Sequence, residues 1–96
     1  MRRALILIAL VAGCAPSTPP PVTATDAART KVSLAELEAG RTLVIKRCGS
    51  CHGTPSPRAH TAHDWPHELD EMSARANLSP AERRSIEQYL VALAQR

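Results

Sequence analysis

Apolar and polar positions divide the chain into a continuous apolar run, a stretch without period, and three segments of helical repeat. Residues 4–12 are apolar throughout and follow Arg2 and Arg3. Such a run is well below the roughly 20 residues that span a bilayer as a helix, so with its positive start it predicts an export signal. Residues 15–30 are rich in Pro, Thr and Ala, include Pro19, Pro20 and Pro21, and have neither helical nor strand period. Proline removes a backbone donor and favours extended chain, so this stretch reads as a tether.

Helical pattern begins at Ser33. Ser33 and Glu36 have the spacing of a capping box, and Leu34, Leu37, Ala39, Leu43 and Val44 supply an apolar side. Arg41, Lys46 and Arg47 are assigned to the exposed side of this helix. Gly40 in its middle costs about 1 kcal/mol against alanine, a loss that a close-packed second helix would offset. The second helix has its own start signal, with Ser79 as N-cap, Pro80 at the first helical position and Glu82 two further on. Ile86, Tyr89, Leu90 and Leu93 then recur at helical spacing, and this stripe is expected to meet the first helix near Gly40 and Val44. Between the two, Asp64, Trp65 and Pro66 predict a short helix with Pro66 at its first position and Glu68 at its third. Trp65, Leu69 and Met72 would share one side of it. No segment alternates as a strand does. The fold class expected is all-α, in one small domain.

A chain of 96 residues with no Phe, one Trp and one Tyr has little conventional aromatic material for a core. Its 12 basic and 9 acidic residues give +3, of which Arg2 and Arg3 belong to the export signal. The remaining near-neutral balance, without basic runs interleaved with aromatics, excludes nucleic acid as a partner.

The three cysteines supply the chemistry. Cys48-Gly49-Ser50-Cys51-His52 is the attachment signature of a c-type haem. Cys48 and Cys51 would each form a thioether with one porphyrin vinyl group, and His52 would bind iron from the proximal side. A C-x-x-C pair alone would also suit a dithiol redox couple or half of a zinc site; the adjoining histidine favours haem. One haem c per chain, an apolar plate covalently held, would supply the missing core.

The distal ligand is sought among residues 53–77. Met72 leads, because its soft, uncharged thioether raises the potential relative to bis-histidine ligation and leaves no place for water or oxygen. A plain core methionine remains open, and His60, His63 and His67 are rival ligands or exposed polar residues. Trp65 and Met72 would both face the haem. Pro55 and Pro57 restrict the chain after His52, as simple turn residues or by holding a carbonyl for the other ring nitrogen of His52.

Residues 10–14, Leu-Val-Ala-Gly-Cys, resemble a bacterial lipoprotein signal. The resemblance implies cleavage before Cys14 and its lipidation, with several acyl chains giving a durable membrane anchor. Plain secretion with loss of Cys14 is the competing reading. Ala15, where inner-membrane retention is associated with aspartate, implies the periplasmic side of the outer membrane. The organisation expected is a signal over 1–13, the lipidated Cys14 and tether over 14–32, and a haem domain over 33–96.

From about residue 34 to 93 the chain resembles class I cytochrome c, in its short bacterial monohaem form. In that family a glycine eight residues before the first haem cysteine lets the terminal helices cross, and Gly40 holds that place. The resemblance implies crossed N- and C-terminal helices around a covalent haem, thioethers at Cys48 and Cys51, His52 as proximal ligand and Met72 as distal ligand. It also implies a haem-supporting loop at the prolines, Pro57 included. Two departures are Val44 where an aromatic residue is usual and Glu71 where many members have arginine. The function implied is transfer of single electrons between a protein donor and a protein acceptor, without enzymatic activity. The alternative is a haem domain for catalysis or gas sensing, which needs an open or displaceable distal ligand.

Overall fold

Three capping boxes start three of the helices in the computed structural model, which describes residues 18–49 and 53–96. Helix α1 covers Ala24–Thr30, α2 Leu34–Leu43, α3 Trp65–Arg75 and α4 Pro80–Ala94. Among the described residues the fold is an all-α bundle without strands. At α2 the amide of Glu36 donates to the Ser33 hydroxyl and the amide of Ser33 to the Glu36 carboxylate, both at 3.1 Å. Ser79 and Glu82 repeat the arrangement at α4. Each box satisfies amides that the first helical turn leaves unpaired.

The helix read from residue 34 onward does run to the first haem-motif cysteine, by a change of winding. Val44–Cys48 is a π-helical turn continuing α2. Val44 and Cys48, four positions apart on it, are both buried. The helix packs on α4 through a core of Leu37, Val44, Ile86, Tyr89, Leu90 and Leu93. Gly40 is where the two backbones come closest: a β-carbon built there would run into the carbonyl oxygen of Ser85 and lie 2.8 Å from the β-carbon of Tyr89.

Helix α3 begins one residue earlier than its proline signal suggests. Trp65 is its first residue and Pro66 its second, so Glu68 lies beyond the capping position. Asp64 precedes it without a side-chain cap. Thr61 takes over, its carbonyl accepting from the amide of Trp65 at 3.1 Å and its hydroxyl from that of Asp64 at 3.2 Å. Two residues past the end of α3, Asn77 has a φ of 52°, the left-handed conformation in which asparagine is tolerated and which stops the helix. Arg83 ties α3 to α4, pairing with Asp70 at 2.6 Å and donating to the Pro66 carbonyl at 2.9 Å.

The largest correction concerns the tether. Residues 24–30 of the stretch read as extended are helical, and the segment from Pro19 to α1 lies bound to the bundle as a strap. Thr23 and Asp26 form a capping box that no apolar stripe follows, which is why helical period gives no sign of α1. Asp26, only 1 % exposed, accepts from Arg96 at 2.6 Å and 3.1 Å and from Arg29 at 2.9 Å. Arg96 and Arg29 extend the attachment to the Pro21 and Ala92 carbonyls. The Tyr89 hydroxyl donates to the Pro20 carbonyl at 2.6 Å, and Arg41 Nε to that of Pro19 at 3.0 Å.

The hydrogen bond from Arg96 holds the Asp26 carboxyl far below the ordinary carboxylate range, against the opposing effect of burial. A depressed folded value means that the pair stabilises the fold above the unfolded carboxyl's pKa, near 4, and ceases to do so as pH falls through the folded value. Asp26→Asn is therefore expected to lose about 3 kcal/mol at pH 7, the scale for breaking a buried ion pair. In thermal melts the gap between wild type and variant should close from pH 5 towards pH 2; a gap independent of pH would show that Asp26 is not ionised in the fold.

Candidate functional site

The C-terminal end of α2 and the outer side of α3 enclose an apolar cavity of about 190 Å³ lined by Cys48, Leu69, Met72, Ala76 and Leu78, with Arg47 and Arg75 beside them. The π-helical turn delivers Cys48 to this wall. Met72 arrives from α3 one turn beyond Leu69, which is itself fully buried. Cys48 and Met72, chosen separately from sequence, therefore face one cavity. Cys51, His52 and Cys14 lie outside the described residues.

Arg47 fixes the cavity's shape. Sequence assigns it to the solvent side of α2, but it is half-buried and donates to the carbonyls of Ala76 at 2.8 Å and Asn77 at 3.2 Å. Those carbonyls end α3, where the helix dipole places negative charge and a cation is favourable. Arg47 thus joins the end of α2 to the end of α3 and sets Cys48 against Met72. Its ion pair with Glu82, 3.6 Å, adds a link to the start of α4. Arg41, expected on the same exposed side, is also half-buried and holds the strap; Lys46 is exposed as expected.

Trp65 belongs to the packed core of the bundle. It is fully buried, yet Leu69 rather than the indole borders the cavity. Its Nε1–H donates to the Pro57 carbonyl at 2.8 Å. That bond anchors the loop that follows the haem motif to α3. The carbonyl contact expected of His52 with Pro55 or Pro57 falls outside the described residues, because His52 is not among them. His60 packs edge-on to the same indole, ring centroids 4.8 Å apart, with its Nε2 3.8 Å from Glu68.

None of the rival histidines lines the Cys48–Met72 cavity. His63 is 96 % exposed and lies 3.2 Å from Asp64, and His67 is exposed. The carboxyl of Asp64 is lowered chiefly by that His63 contact. Among the described residues no group of three or more His, Cys, Asp and Glu side chains could hold a bare metal ion.

The donor set suits haem. A cysteine sulfur on one wall, a thioether on another and aliphatic side chains between them match a covalently held apolar macrocycle. Arg47 and Arg75 stand at the cavity's margin. Arg75 pairs with Glu71 at 2.7 Å, so the acidic residue standing before Met72 is neutralised within its own helix. Sequence reading missed Leu78, Ala76 and the two arginines, because only the helix ends bring them together. No family model, curated protein or solved structure matches the chain.

Proposed function

We propose that the chain is a membrane-tethered electron carrier of the class I cytochrome c kind, with one covalent haem c, working at the periplasmic face of a bacterial outer membrane. The observation that carries this reading is the meeting of Cys48, the first cysteine of the haem motif, with Met72 across one apolar cavity. Bound haem supplies a one-electron iron couple. Cys48 and Cys51 would hold it, with His52 and Met72 as the axial pair. Leu69, Ala76 and Leu78 give the cavity apolar walls, and Arg47 holds the two ligand-bearing helices together. If His52 and Met72 both bound the iron, no place would be left for a substrate, which would favour outer-sphere transfer to docked protein partners over catalysis. Cys14 is the proposed lipid anchor; among the described residues no helix is long and apolar enough to cross a membrane.

Intact-mass measurement after maturation in a host that attaches c-type haem tests the reading. The mass should exceed that of the processed polypeptide by one haem, and Cys48→Ser with Cys51→Ser should abolish the increment. Polypeptide mass alone in the wild type would overturn the assignment.

A further inference from the structure

The strap changes how far the folded domain can stand from its anchor. An extended chain spans at most about 3.6 Å per residue, so a free stretch from Cys14 to Ser33 would reach roughly 65 Å. The strap is already bound at Pro19, through Arg41, and again at Pro20, Pro21 and Asp26. Only the chain between Cys14 and Pro19 remains to bridge the distance, no more than about 18 Å. That is less than the bilayer's own hydrocarbon thickness of about 30 Å, and too little for the domain to turn freely.

The point where the strap ends selects a face. Leu34, Glu38, Arg41 and Ile45 recur at spacings of four, three and four along α2 and its π-helical continuation, so they form one stripe. Pro19 is bound to Arg41 in the middle of it. Among the described residues, Leu34 and Ile45, 38 % and 42 % exposed, are the large hydrophobic side chains that the fold leaves in solvent, and exposed Lys46 adjoins Ile45. Arg47, six residues beyond Arg41, projects from the opposite flank of the helix and borders the Cys48–Met72 cavity.

Resting on the lipid anchor proposed above, we infer that the docked strap holds the domain on the lipid surface through the Leu34–Arg41–Ile45 stripe, with the Cys48–Met72 cavity turned away from the bilayer. The occupant of the stripe is the membrane itself: two aliphatic side chains enter the headgroup boundary and Lys46 meets anionic headgroups. The strap then works as an orienting device that leaves the cavity side open to redox partners.

Hydroxyl-radical footprinting of the full lipidated protein on vesicles of phosphatidylethanolamine and phosphatidylglycerol provides the test. The comparison is a variant with a flexible Gly/Ser insertion of about 15 residues directly after Pro16, which lengthens the reach and leaves the folded residues unchanged. Oxidation of Leu34 and Ile45 should be at least twofold lower in wild type than in the insertion variant, with Val91 on α4 oxidised equally in both. Leu34→Glu with Ile45→Glu, two surface changes, should raise oxidation of the remaining stripe residues and of Lys46 peptides in wild-type context. Equal oxidation of the stripe in protein that floats with the vesicles would overturn the orientation alone. Protein that fails to float would overturn the anchor and the orientation together. Protection that grows only with protein density would assign the stripe to a second copy and likewise overturn the inference.

Discussion

Gly40→Leu is expected to abolish cooperative folding, and Gly40→Ala to lose about 2 kcal/mol. The obstacle is backbone. A β-carbon at Gly40 would collide with the Ser85 carbonyl oxygen and crowd the Tyr89 β-carbon, and neither can rotate aside. The relief available is withdrawal of α4 from α2, which opens the contact among Leu37, Val44, Ile86, Tyr89 and Leu90. Overpacking of this kind costs typically about 1–3 kcal/mol, with rigid backbone neighbours at the upper end. The gain of about 1 kcal/mol in helix propensity from glycine to alanine offsets part of it. A branched four-carbon side chain has no space at all, and a domain of this size has few kcal/mol in reserve. Gly53→Ala is the control, because among the described residues nothing lies within 4 Å of a β-carbon there. Urea and thermal denaturation followed by circular dichroism should place Gly53→Ala within about 0.5 kcal/mol of wild type. Equal stability of Gly40→Ala and wild type would disprove the close helix contact.

The parts of this fold legible in the sequence are those encoded locally. Ser33 with Glu36 and Ser79 with Glu82 announce α2 and α4 within a few residues, and their apolar stripes fix the faces that meet. Gly40 is legible for the same reason: a glycine in a good helix implies a close neighbour. What escapes is held by partners far apart in the chain. Asp26 is an unremarked acid until Arg96, 70 residues later, is found bound to it. The proline composition of residues 15–30 argues for extended chain, and it is long-range hydrogen bonding to Arg41, Tyr89 and Arg96 that binds that chain to the bundle. The site divides in the same way. Cys48 and Met72 can be named from their chemistry, whereas Arg47 becomes a positioning residue only because α3 happens to end where α2 does. Helical spacing places Trp65 on one side of α3 with Leu69 and Met72, whereas the bond from its indole N–H to the Pro57 carbonyl, eight residues earlier, appears only in the folded loop.

Met72→Ala should change the holo-protein's colour and potential while leaving its fold intact. A thioether sulfur on ferric haem iron gives a weak absorption towards the red end, and its π-acceptor softness favours ferrous iron, raising the potential. Removing the sulfur is therefore expected to erase that band and lower the potential in a redox titration. Met72 is only half-buried, so truncation removes less buried surface than it would at a core methionine. A second readout follows from the vacated ligand place. The reduced variant should bind carbon monoxide promptly and stoichiometrically, whereas reduced wild type should resist it. Replacing His60, His63 and His67 together by alanine gives the opposing control. His63 is fully solvated beside Asp64, His67 is exposed, and His60 is engaged against Trp65, so none of the three should be needed for the band or the potential. Absence of the band in wild type, with a potential that the triple variant changes and Met72→Ala does not, would transfer the ligand to a histidine. Prompt carbon monoxide binding by wild type would instead mean that the distal place is open, and the chain would then be suited to binding a small molecule at iron as well as to passing electrons.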